Sequence, residues 1–208
     1  MPFIRKYKQN DFIVGLWKLS DDDIIPSSDQ YIIRITREAE SMFSSVERRR
    51  EYVAERCLLR EIFNGEEIEM EHNSDGKPLI ANGYNISVSH TTGYVAIIVS
   101  DRHEVGIDIE HVCDRVEKIA CRFMRDDEHA NNIMSLLIHW CAKETIYKLF
   151  SSDHLVAKEI KVESETFSNV TNLRSGDVVE LIVETSPEYV LTYSIYNKKN
   201  TSFLEKKH

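Results

Sequence analysis

Apolar and polar residues along the chain divide it into short strands and two longer helices separated by turns. From Val105 to Glu110 they alternate strictly, so Val105, Ile107 and Ile109 share one strand face while Gly106, Asp108 and Glu110 share the other. Asn85 to His90 and Tyr94 to Ser100 are β-rich runs around Thr91-Thr92-Gly93, which predicts a hairpin. Asp177 to Thr185 and Tyr189 to Tyr196 predict a second hairpin, turning at Ser186-Pro187-Glu188. Glu47 to Phe63 and Ile133 to Phe150 have the length and residue types of helices. Asp75-Gly76-Lys77-Pro78 is a turn, with Gly76 free to take positive φ and Pro78 fixing its own.

A faint repeat organises these elements. Val14-Gly15-Leu16 returns as Val105-Gly106-Ile107, a helix ending near Phe63 returns as one ending at Phe150, and Tyr94-Val95 returns as Tyr189-Val190. The expected fold is α+β with two pseudo-symmetric lobes, residues 1–102 and 103–208, each a strand, a helical region and a hairpin. No linker rich in Gly, Ser or Pro separates them, so the lobes should pack together.

Composition narrows the function. A hydrophobic fraction of 42% and a charged fraction of 29% over 208 residues are those of an ordinary globular protein. No apolar run reaches the roughly 18–20 residues of a membrane helix. Met1 to Lys6 lack the apolar stretch of a signal peptide. Cys57, Cys113, Cys121 and Cys141 show no Cys-x-x-Cys spacing, which suits a reducing, cytoplasmic setting. A net charge of −9 argues against nucleic acid as a partner. Basic residues do gather locally, with Arg48, Arg49, Arg50, Arg56 and Arg60 interleaved among Glu47, Glu51, Glu55 and Glu61. That pattern fits either a solvated helix face laced with Glu–Arg pairs or an anion site.

The polar face of the Val105–Glu110 strand presents two carboxylates about 7 Å apart, beside a glycine that leaves room. In the first half the equivalent positions are Trp17 and Leu19, so the acids are an asymmetric addition. The strand alone also suits an edge strand with a solvated polar face. On the second helix, at about 100° per residue, Leu137, Trp140, Cys141, Glu144 and Lys148 share one side. Glu144 thus lies within an apolar stripe, where a carboxylate is costly unless paired or on a metal. Two readings follow: an i,i+4 salt bridge to Lys148, or a third carboxylate facing the strand pair. Three acids of this kind suit a hard cation such as Mg2+, and the eight histidines show no zinc spacing. His90 is either a satisfied structural group or a ligand, and Lys77 either an exposed lysine or an anion contact.

Gly76-Lys77-Pro78, Ser87-Val88-Ser89-His90, Gly106-Ile107-Asp108-Ile109-Glu110 and the run Trp140 to Lys148 together resemble, in order, four blocks of the 4′-phosphopantetheinyl transferase superfamily. Length and order are similar to its surfactin-type branch. The resemblance covers roughly residues 47 to 150. It implies a monomer of two lobes with the active site between them, of the holo-[acyl-carrier-protein] synthase type. Coenzyme A would be the substrate, Mg2+ the cofactor, and an apo acyl or peptidyl carrier protein of fatty-acid, polyketide or nonribosomal peptide synthesis the partner. Asp108, Glu110 and Glu144 match the magnesium ligands. Glu144, or a water it holds, matches the general base, and Lys148 the cation on the pyrophosphate. Lys77, Ser89, His90, Arg49, Arg50 and Arg56 match coenzyme A contacts, His90 at the 3′-phosphate. Thr91 and Thr145 depart mildly from the family pattern, and Glu51 falls where some relatives have a base. Between the motifs, Val112, Val116, Ile119, Phe123 and Met124 are expected either to dock the carrier helix or to fill the second lobe's core. The rivals are a non-catalytic coenzyme A-binding protein of the same fold and another Mg2+-dependent phosphoryl enzyme, such as a nuclease.

Overall fold

A computed structural model describes residues 3–9, 11–19 and 28–197; Met1 and Pro2, used above in reading the N-terminus, lie outside them. In chain order the elements are β1 (Phe3–Gln9), β2 (Phe12–Lys18), α1 (Gln30–Met42), α2 (Val46–Ile62), β3 (Met70–His72), β4 (Pro78–Ile80), β5 (Asn85–Thr91), β6 (Tyr94–Ser100), β7 (Glu104–His111), α3 (Arg115–Phe123), α4 (Ile133–Leu149), β8 (Ile160–Val162), β9 (Asn169–Asn172), β10 (Val178–Glu180), β11 (Ile182–Thr185) and β12 (Tyr189–Tyr196). The strands form antiparallel sheets ordered β1-β2-β6-β5, β11-β12-β7, β10-β9-β8 and β3-β4. This is a mixed α/β architecture. Among the described residues no helix is long and apolar enough to cross a membrane.

Local chemistry explains the helix boundaries. Asn132 caps α4 by accepting from Ser135 N at 2.8 Å, while Ser135 Oγ accepts from Asn132 N, a reciprocal capping box. Ser45 caps α2, with Glu47 in its first turn and Arg60 in its last, both matched to the helix dipole. Asp29 caps α1, which the hydrophobic pattern did not reveal.

The alternation of β7 is realised, but its apolar face does not fill a core within its own half. Val105, Ile107 and Ile109, with Leu191 and Tyr193 of β12, pack onto Val14, Leu16, Ala96 and Ile98 of the β1-β2-β6-β5 sheet. The other face of that sheet, through Trp17, Ile86, Val95, Ile97 and Val99, packs on Ala54, Leu58, Leu59 and Ile62 of α2. β6 is therefore covered on both sides, which is why it is apolar from Tyr94 to Val99 and buried throughout.

Two glycines set the strand–helix spacing. A Cβ on Gly106 would stand 2.3 Å from the Thr145 carbonyl of α4, and one on Gly15 would stand 2.8 Å from Leu58 Cδ1 of α2. β2 thus lies under α2 as β7 lies under α4. Trp17 fills the apolar α2 side at the position where β7 carries Asp108.

Two expectations need correction, and one open alternative narrows. α4 is not a one-striped helix. Cys141 contacts β7 and β12, while Ala142 and Ile146 face Ile160, Val162, Val170 and Val179 of the β10-β9-β8 sheet, so α4 is enclosed between two sheets. The second hairpin is shorter than its sequence run. β11 pairs with β12, but Val178–Glu180 pairs with β9, because Leu181 donates its N–H to Ser168 O and turns its side chain into the small sheet's core. Finally, Val116 and Phe123 are buried, and Val112, Ile119 and Met124 pack against the same core. Of the two readings left open for the 112–125 segment, this packing supports the core one, with the apolar side holding α3 to α4.

Candidate active site

β7 and α4 meet where Gly106 lets them touch, and Asp108 lies next along that face. Asp108 is 4% exposed. Its Oδ1 accepts two hydrogen bonds, from Ser89 Oγ of β5 and Lys148 Nζ of α4, both at 2.7 Å. Its Oδ2 is buried and has no partner. A buried carboxylate oxygen left bare is costly, and such exceptions point to strain, catalysis or a missing ligand. The β5–β7 seam is bridged by side-chain hydroxyls: Ile107 N donates to Ser87 Oγ at 3.2 Å and His111 N to Thr91 Oγ1 at 3.0 Å. Ser89 belongs to that row.

Glu110, two residues on, is fixed by Trp140 Nε1, which donates to Oε1 at 2.8 Å. Burial, followed by the charge of Asp108, raises its pKa. Burial, followed by Asp108, also lifts Glu144 to about 7, with Lys148 opposing. The i,i+4 salt bridge considered from the sequence is not formed. Lys148 bonds instead to Asp108 and to the Ile107 carbonyl at 3.2 Å, and Glu144 makes no hydrogen bond or ion pair. Glu144 also lines a cavity of about 160 Å³ with Lys143, Tyr147, Leu155, Ala157 and Ile160. The three predicted acids and Lys148 therefore belong to one electrostatic group.

The cationic residues are only partly drawn in. His90 ends near the same group: its ring lies 3.6 Å from Glu51 and 2.7 Å from Arg48 Nη1, and Lys148 and Asp108 both act on its charge. Burial holds its pKa below the ordinary value, and Glu51 works against that. Arg48, rather than Arg49, is the arginine joined to His90. Arg49 donates to the Phe43 carbonyl at 2.6 Å, and Arg56 stacks on the Tyr52 ring at 3.2 Å. Arg50 is half-buried on α2. Glu55, half-buried beside Arg56 and Arg48, is raised to about 7 by desolvation, with both arginines opposing. Lys77 is paired with Glu104 at 2.9 Å, at the opposite end of β7, about 13 Å along the strand from Asp108. Ser89 acts on Asp108 and does not stand free for a ligand.

Sequence spacing did not reveal Ser89 and Trp140 as supports, nor Arg48 as the partner of His90. It also passed over Lys143, which is buried. Lys143 donates to Glu128 Oε1 at 2.9 Å, Ala157 O at 3.1 Å and Ile160 O at 2.5 Å, and Glu128 also accepts from Val162 N and Arg125 N. A lysine inside a largely apolar helix was the available signal.

Among the described residues no three His, Cys, Asp or Glu side chains form a ready-made metal cage. Mg2+ seldom needs one, since it binds through one or two carboxylates with water and substrate phosphate completing its shell. The bare Oδ2 of Asp108 and the raised pKa values of Glu110 and Glu144 fit an added dication.

Fold and site together describe a mixed α/β protein whose strand–helix contact carries three coupled carboxylates and one lysine. Residues 104–193, just under half the chain and the part holding all four groups, match the family model of the 4′-phosphopantetheinyl transferase superfamily. That match supports the superfamily. No curated protein matches the chain.

Proposed function

We propose that the chain transfers the 4′-phosphopantetheine of coenzyme A to a serine of an apo acyl or peptidyl carrier protein, releasing 3′,5′-ADP with Mg2+ as cofactor. One observation carries the reading: an unpaired Glu144 stands with the bare Oδ2 of Asp108 in the segment that matches the superfamily. Asp108, Glu110 and Glu144 would hold the ion, which when bound draws charge from the pyrophosphate.

Glu144, or a water it holds, is placed to take the serine proton. The serine oxygen bonds to the phosphorus bearing pantetheine as the bond from that phosphorus to the ADP oxygen breaks. Lys148, anchored on Asp108 and Ile107, brings positive charge to the leaving group. Ser89 and Trp140 orient Asp108 and Glu110. Arg48 and His90 supply donors for the nucleotide phosphate. To reach coenzyme A, Lys77 would exchange Glu104 for phosphate, and Arg49 would leave the Phe43 carbonyl. Arg50 and Arg56 complete the proposed cationic set.

The surfactin-type branch, duplicated lobes at 1–102 and 103–208, a monomer and a cytoplasmic location belong to the same reading. The matched seats of Gly15 under α2 and Gly106 under α4 support the duplication. The test is to incubate the protein with coenzyme A, Mg2+ and a panel of apo-carriers, then weigh the carriers. A gain of roughly 340 Da, one phosphopantetheine, on any carrier supports transfer, and its absence on all of them overturns it.

A further inference from the structure

We infer that Glu51 is a specificity-determining residue: its carboxylate already occupies the cationic pair Arg48–His90, so a ligand phosphate finds that pair neutralised and is selected only weakly. The inference rests on the proposed function and deepens it. The phosphate concerned is the 3′-phosphate that separates 3′,5′-ADP from 5′-AMP.

α2 turns Glu51, Ala54, Leu58 and Ile62 into the protein along one stripe. Glu51 is the first of them and is 7% exposed, where a carboxylate is costly unless paired. Its Oε2 accepts from Arg48 Nη1 at 2.5 Å, and its Oε1 stands 3.6 Å from His90 Nδ1. Arginine can only donate, so the 2.7 Å approach of Arg48 Nη1 to His90 Nε2 makes that nitrogen the acceptor. The ring proton then lies on Nδ1, which faces Glu51. Neither nitrogen of His90 offers a proton outward, and Arg48 Nη1 is spent inside the trio.

The trio stands beside the reacting groups. Lys148 and Asp108 both act on the charge of His90, and Ser89, its neighbour in β5, holds Asp108. Lys148 is itself taken by Asp108. The guanidinium of Arg48 also lies over the Phe43 ring, 5.7 Å from its centre, so a second contact keeps it in place when the acid is neutralised. An incoming phosphate must push Glu51 aside or share Arg48 with it, against like charge. A pair kept only for selecting phosphate would leave its donors unopposed. A plain salt bridge between α2 and β5 has the same geometry in the free protein, and the two roles part on ligand selectivity.

The test is calorimetric titration of the full chain with 3′,5′-ADP and with 5′-AMP. Wild type should bind 3′,5′-ADP less than about tenfold more tightly than 5′-AMP. Glu51→Gln keeps the shape and removes the charge. It should raise that ratio by about tenfold or more, through 3′,5′-ADP alone. Glu47→Gln, exposed in the first turn of α2, should leave the ratio at the wild-type value. Urea melts on the same preparations check that each variant is folded, and the wild-type ratio stands whatever they show. A wild-type ratio above about tenfold overturns the inference, and so does a ratio that Glu51→Gln leaves unchanged. Equal loss of both affinities in Glu51→Gln also overturns it, since a structural role does that. Binding of neither nucleotide to wild type overturns it as well. Phosphopantetheine transfer by wild type is measured separately. Its absence, with the ratio shifted in Glu51→Gln, keeps the role of Glu51 and overturns the proposed function.

Discussion

Lys148 donates to Oδ1 of Asp108 at 2.7 Å and leaves Glu144, one turn before it on the same helix, without a partner. One cation is thus set against the most buried of three acids, while Glu144, whose pKa is raised to about 7, stays free. Removing the lysine should show both consequences. Lys148→Met leaves a buried carboxylate uncompensated and should cost about 1–3 kcal/mol in denaturant unfolding. It should also lower kcat by about a hundredfold or more through loss of charge at the leaving group. Unfolding curves and kinetics on the same preparation separate the two effects.

Glu144 gives a pH prediction with a definite sign. Its folded pKa of about 7 lies above the ordinary value of 4.5, so between them the folded chain binds more protons than the unfolded one. Stability from this group is therefore present below the lower value and falls as pH rises through the window. Glu144→Gln should flatten that part of a stability–pH curve. Mg2+, which favours the ionised form, should raise Tm more at about pH 8 than at about pH 5.5. Thermal melts with and without Mg2+ check both statements.

Gly106→Ala places a methyl 2.3 Å from the Thr145 carbonyl, where backbone must move. The expected cost is about 3 kcal/mol, with transfer activity falling as β7 and α4 separate. Gly15→Ala meets the ends of Leu58 and Ile62, which can shift, and should cost about 1 kcal/mol. Parallel urea melts compare them.

The Lys143–Glu128 pair is buried on both sides and joins α4 to β8 and to the turn before it. Lys143→Met alone should destabilise by about 3–5 kcal/mol, and adding Glu128→Leu should recover part of the loss. A double-mutant cycle in urea measures the recovery.

The strand alternation of Val105 to Glu110 was legible and placed Asp108 and Glu110 toward the same helix. The helix from Ile133 carried Glu144 and Lys148 as read. What escaped were relationships set by the fold. Ser89 reaches Asp108 across 19 residues, Trp140 reaches Glu110 across 30, and Arg48 meets His90 across 42. Helical spacing favoured Glu144 for Lys148, but β7 brings Asp108 closer, and tertiary contact overrides the local pattern. Val105, Ile107 and Ile109 were readable as apolar, yet nothing local says that their cover is another sheet. The break at Leu181 was hidden because a strand changing sheets keeps its β-rich composition.

Under the proposed function, Asp108 and Glu144 form the reacting centre of a phosphopantetheine transfer. The most direct measurement is the intact mass of an apo-carrier followed over time with coenzyme A, Mg2+ and either wild type, Asp108→Ala or Glu144→Ala. Circular dichroism on the same samples monitors the fold. Wild type should convert the carrier, and each variant should be slower by about a thousandfold with an unchanged spectrum. Near wild-type conversion by either variant would rule out Asp108 and Glu144 as that centre.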